Sequence, residues 1–563
     1  MERGAHWQAS LRGFNISSTV YSAEEWIRTR HEPDLLVLAG VEMLSAGQRD
    51  RVLDHLRRGG GLILTGQTGV RTGEGVSETL AERLGLEYRV LDREEGSTWW
   101  VSFDRVGHLT AGIPRMQRIS VDFQELVALR NPREALPWAS WFDSDVRGGV
   151  VANGAPMPSL DDEVSLLWPG AGQRPVAADP EEAYRRVAIH HGEHGGGRFI
   201  WMAFDAGEVG GDLASSEGFA RFMQNGLDFL RGLPTVELAP WPFPHATAIL
   251  FSMDVEERFG NFRNVLEIEE LPSITFFILT DSAGLYDQDL AAAAKLPERG
   301  GRAEIAVHGD NHDLFRGQPH EKQHQRLRRA RQYIDEIAPH PPRGFRPPEE
   351  AYDFFTLRSL LENGYRYLLG NENPDRAEPI IQRIRDQRFL QLTMLNKDDV
   401  DQVVRAHQPN PETVLRNYIE DMDRIFERQG LFIVNFHSQI LATERYIGVL
   451  GDMVRYARER GAWMVNGLEM YDWWMARDEV DFSVVSRTNR YIDIAVGNRG
   501  RQALRDLAVN IWIPEEGEHG WQVEALPSGR RVPDYHTEGG FLRLHLRNLP
   551  GGQTENYRIR WRQ

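Results

Sequence analysis

The sequence predicts an α/β protein of several domains, with two α/β regions followed by an all-β sandwich. Residues 33–69 follow the order strand, helix, glycine stop and strand, which is typical of a parallel βαβ unit. Between residues 248 and 439, apolar strand-like segments that end in polar residues alternate with helical segments. After residue 478, apolar and polar residues alternate with period two, which favours antiparallel strands.

Prolines and changes in composition set the expected domain boundaries. The chain has 563 residues, which is too many for a single hydrophobic core. A proline-rich run at 234–244 leads into a strand-like segment, and a helix-like segment ends near residue 478. We therefore expect three domains, at residues 1–236, 237–478 and 479–563.

The composition excludes several classes of function. A net charge of −18 argues against nucleic acid and anionic membranes as partners, because both require a basic surface. The absence of cysteine excludes disulfides, thiolate zinc sites and a cysteine nucleophile. No apolar run is long enough to predict a transmembrane segment, and the start MERGAHWQAS lacks the features of a signal peptide. These data leave the oligomeric state open.

Apolar runs at 35–40 and 62–66 predict buried parallel strands in the first region, joined by a crossover helix. The region resembles class I glutamine-amidotransferase-like and flavodoxin-like domains through GVEMLS (40–45), RRGGGLILTG (57–66) and GGGRFIWMAFD (195–205). Enzymes of that family use a cysteine nucleophile, which this chain lacks. The resemblance therefore implies an accessory or assembly role, since a fold alone does not confer a function.

Polar residues that follow strand-like segments form the candidate site of the middle region. The carboxyl ends of parallel strands meet at one edge of a sheet or barrel, so we expect these acids, histidines and an arginine to converge. The segments are AILFSMDVEERF (248–259), EIAVHGDNH (304–312), RGFRPPEEAYD (343–353) and LFIVNFHSQ (431–439).

Two histidines, His308 and His312, stand four residues apart behind an apolar run. This spacing can aim both imidazoles at one point, where they fill two corners of a divalent-metal site. The same spacing occurs on many exposed helices without any function. The pair therefore indicates a metal site only together with the acids and the arginine expected beside it.

The middle region resembles the polysaccharide deacetylase family, also called the NodB-homology or carbohydrate esterase family 4 group, over roughly residues 245–475. The resemblance implies a distorted (β/α) barrel of NodB type that hydrolyses N-acetyl groups with a divalent metal. It also implies an acetylated amino-sugar polysaccharide as substrate and an extracellular or cell-envelope location. Further segments similar to the family, in the family's order, are ITFFILTDSAGL (274–285), GFRPPEEAYDFFTLRSLLENGYRYLLG (344–370) and YARERGAWMVNGLEM (456–470).

Amide hydrolysis requires an acidified water, a carboxylate that takes its proton, stabilisation of the oxyanion and an acid for the departing amine. His308 and His312 supply two metal ligands, and an acid from Asp254 or Glu256 completes the set. Nitrogen and oxygen ligands with open positions suit Zn²⁺, although Co²⁺ or Mn²⁺ would also be accommodated.

Four further residues receive roles, each beside a structural alternative. Arg346 would orient the catalytic carboxylate and hold it ionised, or it is a surface ion-pair partner. His437 would be the general acid, or it is a hydrogen-bonded core histidine. Asp398 and Asp399 resemble the acidic motif that tunes the acid histidine in the family, or they belong to a solvated loop.

Asp254 and Glu256 lie two residues apart at the end of a strand, so their side chains point to the same face. Resemblance to the branch of the family that reads Asp-Val-Asp/Glu assigns Asp254 as the base and Glu256 as the metal ligand. In the alternative, Asp254 binds the metal and Glu256 is solvated. Departures from the common family pattern here and at Gly309, where Ser or Thr is usual, leave the substrate and the metal open.

The favoured function is a metal-dependent hydrolase that removes N-acetyl groups from a polysaccharide or a related amino-sugar glycan. One alternative is a catalytically silent barrel that binds carbohydrate for attachment or assembly. Another is a hydrolase of small-molecule C–N amide bonds on the same barrel. In the C-terminal region Trp512, Trp521 and Trp561 would stack on sugar rings if exposed, or pack in a core.

The first residues also carry an expectation about the start of the protein. The segment LRGFNISSTVYSAEEW (11–26) is similar to the second strand of a βα domain rather than to its first. We therefore expect the natural start to lie upstream, where an in-frame hydrophobic leader would support export.

Overall fold

The structure is a computed structural model of the chain. It describes residues 2–29, 31–72, 78–86, 88–90, 99–121, 127–129, 139–143, 151–152, 155–156, 187–268, 271, 273–284, 287–293, 302–370, 375–384, 386–407, 409–514, 517, 519–527 and 531–562.

The predicted βαβ unit is present at the start of a mixed sheet. Strands Leu35–Ala39 and Gly61–Thr65 pair in parallel, and helix Ala46–Arg57 connects them. A capping box, formed by Ser45 and Gln48, begins this helix and satisfies backbone groups of its first turn. The apolar residues of the second strand are fully buried, as expected for a strand covered on both faces.

The rest of this sheet departs from the flavodoxin-like layout that the sequence predicts. Strand Gly197–Met202 continues the parallel part beside Gly61–Thr65, but Val187–His194 pairs with it as an antiparallel hairpin. Gly195 and Gly196 form the two-residue turn with φ of 62° and 101°, values that glycine adopts without strain. The remaining described pairings of the sheet are antiparallel as well, whereas a flavodoxin-like sheet is mostly parallel, so the described residues do not confirm that assignment.

The prediction of a strand within residues 11–26 is wrong. The chain forms helices Glu2–Gly13 and Ala23–Arg28, and the described residues between them form no strand. Trp7 and Leu11 lie four residues apart on one face of the first helix, and both are buried. This helical period accounts for residues 2–13, and residues 14–22 connect the two helices without regular structure.

The N-terminal region has the following bounds. Its described strands are Leu35–Ala39, Met43–Leu44, Gly61–Thr65, Arg71–Thr72, Tyr88–Val90, Trp99–Phe103, Arg118–Val121, Val127–Leu129, Ala139–Asp143, Val151–Ala152, Ala155–Pro156, Val187–His194 and Gly197–Met202. Its described helices are Glu2–Gly13, Ala23–Arg28, Ala46–Arg57, Leu80–Arg83 and Leu213–Leu230, with a 3₁₀ turn at Ala206–Glu208.

A curled, half-barrel sheet forms the middle of the chain. Strand Ala248–Val255 lies next to one edge of this sheet, is buried along its whole length, and pairs in parallel with Ser273–Leu279 and Leu431–His437. Alternate residues of this strand join different apolar clusters: Ile249 packs in the cluster on one face, and Leu250 in the cluster on the other.

The edge strand Leu431–His437 of this curled sheet also forms hydrogen bonds along its outer side. The backbone N–H of Leu431 donates to the carbonyl of Ala377 at 2.8 Å, and that of Ile433 donates to Oδ1 of Asn396 at 3.3 Å. These bonds connect the segment before Asp399 to the strand that ends at His437. They therefore bring two predicted site positions to the same place.

The middle region has the following bounds. Its described strands are Ala248–Val255, Ser273–Leu279, Arg302–Gly309, Gly344–Phe345, Tyr367–Leu369, Ile380–Ile384, Gln387–Leu392, Leu431–His437 and Trp463–Val465. Its described helices are Phe262–Leu266, Thr280–Ala283, Asp287–Ala293, His320–Ile337, Phe354–Glu362, Pro411–Glu427, Ile447–Glu459 and Gly467–Asp478, with short turns at Phe259–Asn261, Pro348–Glu350 and Val400–Arg405.

Two antiparallel sheets of four strands each make up the C-terminal part. Strand Thr235–Leu238 pairs with Leu504–Trp512, so the expected boundary at residue 236 falls inside a strand of this sheet. One sheet consists of Thr235–Leu238, Leu504–Trp512, Phe541–Leu549 and Asp534–Glu538. The other consists of Val480–Arg487, Tyr491–Asn498, Thr554–Arg560 and Gln522–Leu526.

Both C-terminal sheets share one apolar cluster with helix Gly467–Asp478. Trp561 is buried in this cluster, and Trp512 is buried outside it, with its ring 5.3 Å from that of Phe541. For these two residues the structure therefore favours packing in a core, the second of the two alternatives, over stacking on sugar rings. Trp521 is half-buried, with its ring 5.8 Å from that of Trp561. The sandwich layout and a carbohydrate-binding role stay predictions. Among the described residues, no helix combines the length and apolar character that crossing a membrane requires.

Candidate active site

The candidate site lies where strands of the curled sheet end. Asp254 and His437 are direct partners in the parallel register of their strands, so their side chains reach the same edge. Glu256 follows two residues after Asp254 and shares its face. The strand Arg302–Gly309 delivers His308 to this edge at its own carboxyl end.

Three side chains form a possible metal-binding group. Oε1 of Glu256 lies 3.0 Å from Nε2 of His308 and 3.0 Å from Nε2 of His312. A tetrahedral ion with bonds of about 2.0 Å places its ligand atoms about 3.3 Å apart, so these residues fit a zinc-type ion. Among the described residues, Asp254 is not part of this group.

Neighbouring groups orient these three side chains. Nδ1 of His308 lies 2.9 Å from the backbone carbonyl of Arg346, to which it donates, and this leaves the Nε2 lone pair for a metal. The amide of Gln439 donates to Oε2 of Glu256 at 2.9 Å. Burial raises the pKa of Glu256, but its close contacts with the imidazoles of His308 and His312 outweigh burial and hold the pKa well below its usual range.

Asp254 is a buried carboxylate with one oxygen engaged and one open. Its Oδ2 accepts from Nε of Arg346 at 2.7 Å and from the amide of Asn435 at 3.0 Å. Its Oδ1 has no hydrogen-bond partner in the part of the chain that the structure describes. Burial raises the pKa of Asp254, yet the charge of Arg346 outweighs this and lowers the pKa. The carboxylate is therefore ionised, with Oδ1 available to accept a proton.

Arg346 is buried, so the alternative of a surface ion pair is wrong. Besides Asp254, its Nη2 donates to Oε1 of Glu350 at 2.8 Å, while Nη1 makes no hydrogen bond to any described residue. Glu349 and Glu350 adopt φ of 52° and 55°, a conformation that costs energy for non-glycine residues. This short turn after Pro347 holds Glu350 against the guanidinium.

His437 is oriented by Asp399. Its Nδ1 donates to Oδ1 of Asp399 at 2.6 Å, and its backbone N–H donates to Oδ2 at 2.8 Å. Its Nε2 lies 3.7 Å from Oδ2 of Asp254. Burial lowers the pKa of His437, but the charge and hydrogen bond of Asp399, with the charge of Asp254, raise it to about 10. The imidazole is therefore protonated at neutral pH.

The two adjacent aspartates differ in environment. Asp399 is fully buried, which contradicts a solvated loop at this position. Asp398 is half-buried, and burial together with the charge of Asp399 raises its pKa to about 7. Only Asp399 contacts the histidine directly. The structure thus gathers the acids, His308, His312, Arg346 and His437 in one place, with Asp399 behind His437 and Asp398 next to it.

Comparison with known families bears on this arrangement. Residues 246–368 match the polysaccharide deacetylase family. The matched segment contains Asp254, Glu256, His308, His312 and Arg346, whereas His437 lies outside it. No curated protein matches the chain.

Solved structures similar to the chain include members of the same group. One is a protein of Mycobacterium smegmatis assigned as a polysaccharide deacetylase, at 18% identity and a TM-score of 0.37, covering 43% of this chain and 94% of that one. Another is a carbohydrate esterase family 4 pseudoenzyme of Bacillus anthracis, at 16% identity and a TM-score of 0.30, covering 42% and 70%. PuuE allantoinase is 14% identical with a TM-score of 0.37, covering 42% and 93%.

Gly309 marks a departure of the deacetylase segment from the common family pattern, and its conformation explains the residue. Its φ is 131°, and a Cβ at this position would lie 2.9 Å from the carbonyl oxygen of Asn311. The chain turns here directly after His308, and the turn brings His312 back towards Glu256. A serine or threonine at this position would be strained.

Sequence reasoning missed three supporting residues of the candidate site. Asn435 and Gln439 contact the two carboxylates, and Glu350 contacts the arginine. Asn435 precedes His437 by two residues and therefore shares its strand face, a signal that would have placed it in the site. Gln439 and Glu350 lie in turns, where no periodicity predicts the direction of a side chain.

Proposed function

We propose that the chain is a metal-dependent hydrolase that removes N-acetyl groups from a polysaccharide or a related amino-sugar glycan. The observation that carries the proposal is the open oxygen of Asp254 beside the group Glu256, His308 and His312. The match of residues 246–368 to the polysaccharide deacetylase family supports the substrate class.

In this proposal Glu256, His308 and His312 hold a divalent ion, with Zn²⁺ favoured by two imidazoles and one carboxylate and Co²⁺ or Mn²⁺ also accommodated. When bound, the ion supplies Lewis acidity that lowers the pKa of a water and polarises the acetyl carbonyl. Gln439 and the carbonyl of Arg346 keep two of the ligands in position for it.

Asp254 acts as the general base in this proposal. Its open Oδ1 takes the proton of the attacking water, while Arg346 and Asn435 fix the carboxylate through Oδ2. The buried positive charge of Arg346 keeps Asp254 ionised before each turnover. Nη1 of Arg346 has no partner among the described residues and is available to a substrate or water oxygen.

His437 acts as the general acid in this proposal. Water adds its oxygen to the acetyl carbon, the C–N bond breaks, and the proton on Nε2 of His437 goes to the departing amine. The products are acetate and a free amino sugar. Asp399 keeps the imidazole oriented and protonated, while Asp398 supports the same charge from a greater distance.

Two alternative functions remain: one involves no reaction, and the other involves a different substrate. A silent carbohydrate-binding or assembly protein would need none of these side chains, whereas a small-molecule C–N hydrolase would use the same set. By its substrate class, we also propose an extracellular or cell-envelope location. Neither the location nor the N-terminal domain's accessory role contributes to the chemistry described above.

Acetate release tests the proposal. The purified full chain is stripped of metal, reloaded with Zn²⁺, and incubated with acetylated chitooligosaccharides, acetylated peptidoglycan and allantoin. We expect acetate from at least one glycan and its loss in the presence of chelator. No acetate from any glycan overturns the proposal. Carbohydrate binding without turnover would then favour the silent protein, and hydrolysis of allantoin alone would favour the small-molecule hydrolase.

A further inference from the structure

A second group of two histidines and a glutamate lies outside the candidate active site. His320 and His324 occupy the first two turns of helix His320–Ile337, four residues apart and therefore on one face. Glu362 is the last residue of helix Phe354–Glu362, which packs beside the first helix. One ligand atom from each residue lies within 4.8 Å of the other two.

Both imidazoles approach the same carboxylate oxygen. Nε2 of His320 lies 3.0 Å from Oε2 of Glu362, and Nδ1 of His324 lies 3.4 Å from that oxygen. These separations match the edges of about 3.3 Å expected for a tetrahedral zinc-type ion. The same pattern, with one carboxylate oxygen between two imidazole nitrogens, occurs at Glu256, His308 and His312.

The two oxygens of Glu362 are divided between different partners. Oε1 accepts from Nε of Arg358 at 2.8 Å, which fixes the carboxylate and leaves Oε2 facing the histidines. Nε2 of His320 is shielded from solvent but makes no hydrogen bond to any residue that the structure describes. A buried ring nitrogen that points at a carboxylate without a hydrogen bond is costly unless a cation joins the two.

His324 shows a related conflict at Nδ1. This nitrogen lies 3.4 Å from Oε2 of Glu362 and 3.1 Å from the side-chain nitrogen of Asn363. If Nδ1 carries a proton, it can donate to the carboxylate but cannot accept from the amide of Asn363. If Nδ1 carries no proton, it can accept from the amide but repels the carboxylate. An ion bound to the lone pair removes the conflict, because the amide of Asn363 retains the carbonyls of His324 and Ser359 as acceptors.

We propose that His320, His324 and Glu362 bind a second transition-metal ion, of the zinc class, which joins the first turns of one helix to the last turn of the other. Two imidazoles and one carboxylate select Zn²⁺, Co²⁺, Ni²⁺ or Cu²⁺ over Mg²⁺ or Ca²⁺. The three side chains are 23%, 25% and 32% exposed, so the ion has access from solvent. The site is a structural clamp and takes no part in hydrolysis.

Zinc titration by calorimetry tests the site in the full chain. The double variant H308A/H312A removes two ligands of the first group, so only the second group remains to bind tightly. We expect this variant to bind one Zn²⁺ and to lose that binding when H324A is added. Because the first group is absent in both proteins, the result does not depend on the proposed hydrolase activity.

Single variants in the otherwise unchanged chain provide an independent measurement. H324A and E362Q should each reduce bound zinc from two ions to one and weaken the second binding event on the order of 100-fold. Acetate release should not change, since neither residue contacts the candidate active site. H340A is the matched control, because His340 is an exposed histidine just beyond the same helix, and it should retain both ions.

The proposal also predicts a zinc-dependent stabilisation of the helix pair. Zn²⁺ should raise the melting temperature of H308A/H312A but not that of the same chain with H324A. Two results overturn the proposal. One is H308A/H312A binding no zinc while remaining folded by circular dichroism, and the other is zinc binding that H324A and E362Q leave unaltered.

Discussion

Asp254 and Glu256 are two carboxylates on one strand end that receive different neighbours. Arg346 and Asn435 engage one oxygen of Asp254, whereas the imidazoles of His308 and His312 face Glu256. In the proposed function, the arginine keeps Asp254 ionised as a base, and the histidines share an ion with Glu256. The division of roles at this site is therefore set by side chains from other strands and turns.

Exchanging each acid for its amide separates the two roles. D254N should keep its metal and lose turnover by about 10²-fold or more, the scale of a missing general base. E256Q should instead lower metal affinity, with activity partly restored by excess Zn²⁺. Metal content and acetate release measure both effects. Loss of metal in D254N, with metal and activity retained in E256Q, would identify Asp254 as the ligand.

The pH dependence of turnover tests the pair His437 and Asp399. The pKa of His437 is raised to about 10, so the acid form is present at neutral pH and lost as the pH rises through that value. D399N removes the charge that raises this pKa, so the alkaline limb of kcat/KM should move to lower pH. D423N is the control, since Asp423 pairs with Tyr456 and Arg460 instead. An unmoved limb in D399N would contradict the assignment of His437.

Turns between elements determine where the histidines point. The strand Arg302–Gly309 ends in a glycine whose φ of 131° other residues rarely adopt, and His312 follows within the same turn. The next strand ends at Phe345, one residue before the buried Arg346. Each site residue therefore depends on the exact end of an element as well as on its own chemistry.

Replacing Gly309 by alanine tests this dependence. The new Cβ would lie 2.9 Å from the carbonyl oxygen of Asn311, in a strained backbone conformation. We expect a loss of about 1–3 kcal/mol in the free energy of unfolding and weaker zinc binding, because His312 is displaced. Chemical denaturation and zinc titration measure the two effects.

The control for this variant is G448A, in helix Ile447–Glu459. No heavy atom lies within 4 Å of a Cβ at Gly448, and alanine favours a helix over glycine. G448A should therefore leave zinc binding unchanged and stability unchanged or slightly higher. Equal behaviour of G309A and G448A would show that the turn does not require glycine.

At the scale of the whole molecule, one buried ion network joins the three regions of the chain. The guanidinium of Arg115 donates to both carboxylate oxygens of Glu237, and the distance from Nη1 to Oε2 is 3.2 Å. The backbone N–H of Arg115 donates to Oε1 of Glu378 at 3.0 Å. Asn510 from the C-terminal sheets donates to Glu237 at 3.0 Å. Arg115 and Glu237 are both almost fully buried, so each charge relies on the other.

Breaking this network should destabilise the chain as a unit. E237Q leaves the buried charge of Arg115 without its main partner and should cost about 3–5 kcal/mol in the free energy of unfolding at pH 7. E524Q, which removes a largely exposed partner of Arg560, is the control and should cost less than about 1 kcal/mol. Equilibrium denaturation compares the two, and equal small effects would contradict the importance of the network.

The loss of stability in E237Q should depend on pH in a defined direction. Burial raises the pKa of Glu237, but the charge of Arg115 outweighs burial and lowers it. A lowered pKa in the folded state gives stability that is present above the unfolded value of about 4.3 and is lost as the pH falls below it. The difference in the free energy of unfolding between wild type and E237Q should therefore become smaller at acidic pH.

Local patterns in the sequence predict the residues of the candidate site and the type of most elements near it. Apolar runs that alternate with helical segments predict the parallel strands of the middle region, and polar residues at strand ends identify Asp254, Glu256, His308, Arg346 and His437. These signals are local, since each depends on a side chain and the element that carries it. Local reasoning is wrong at residues 11–26, where the chain forms the end of one helix, a connecting segment and the start of the next helix instead of a strand.

Which of these groups meet depends on how distant segments pack together. The open oxygen of Asp254, the contact of Asp399 with His437 and the support from Gln439 depend on distances between segments far apart in the chain. The cluster of His320, His324 and Glu362 needs two packed helices, so the spacing of its histidines alone did not distinguish it from an exposed helix face. Side-chain direction in turns and helix packing follow from long-range contacts, which no local period encodes.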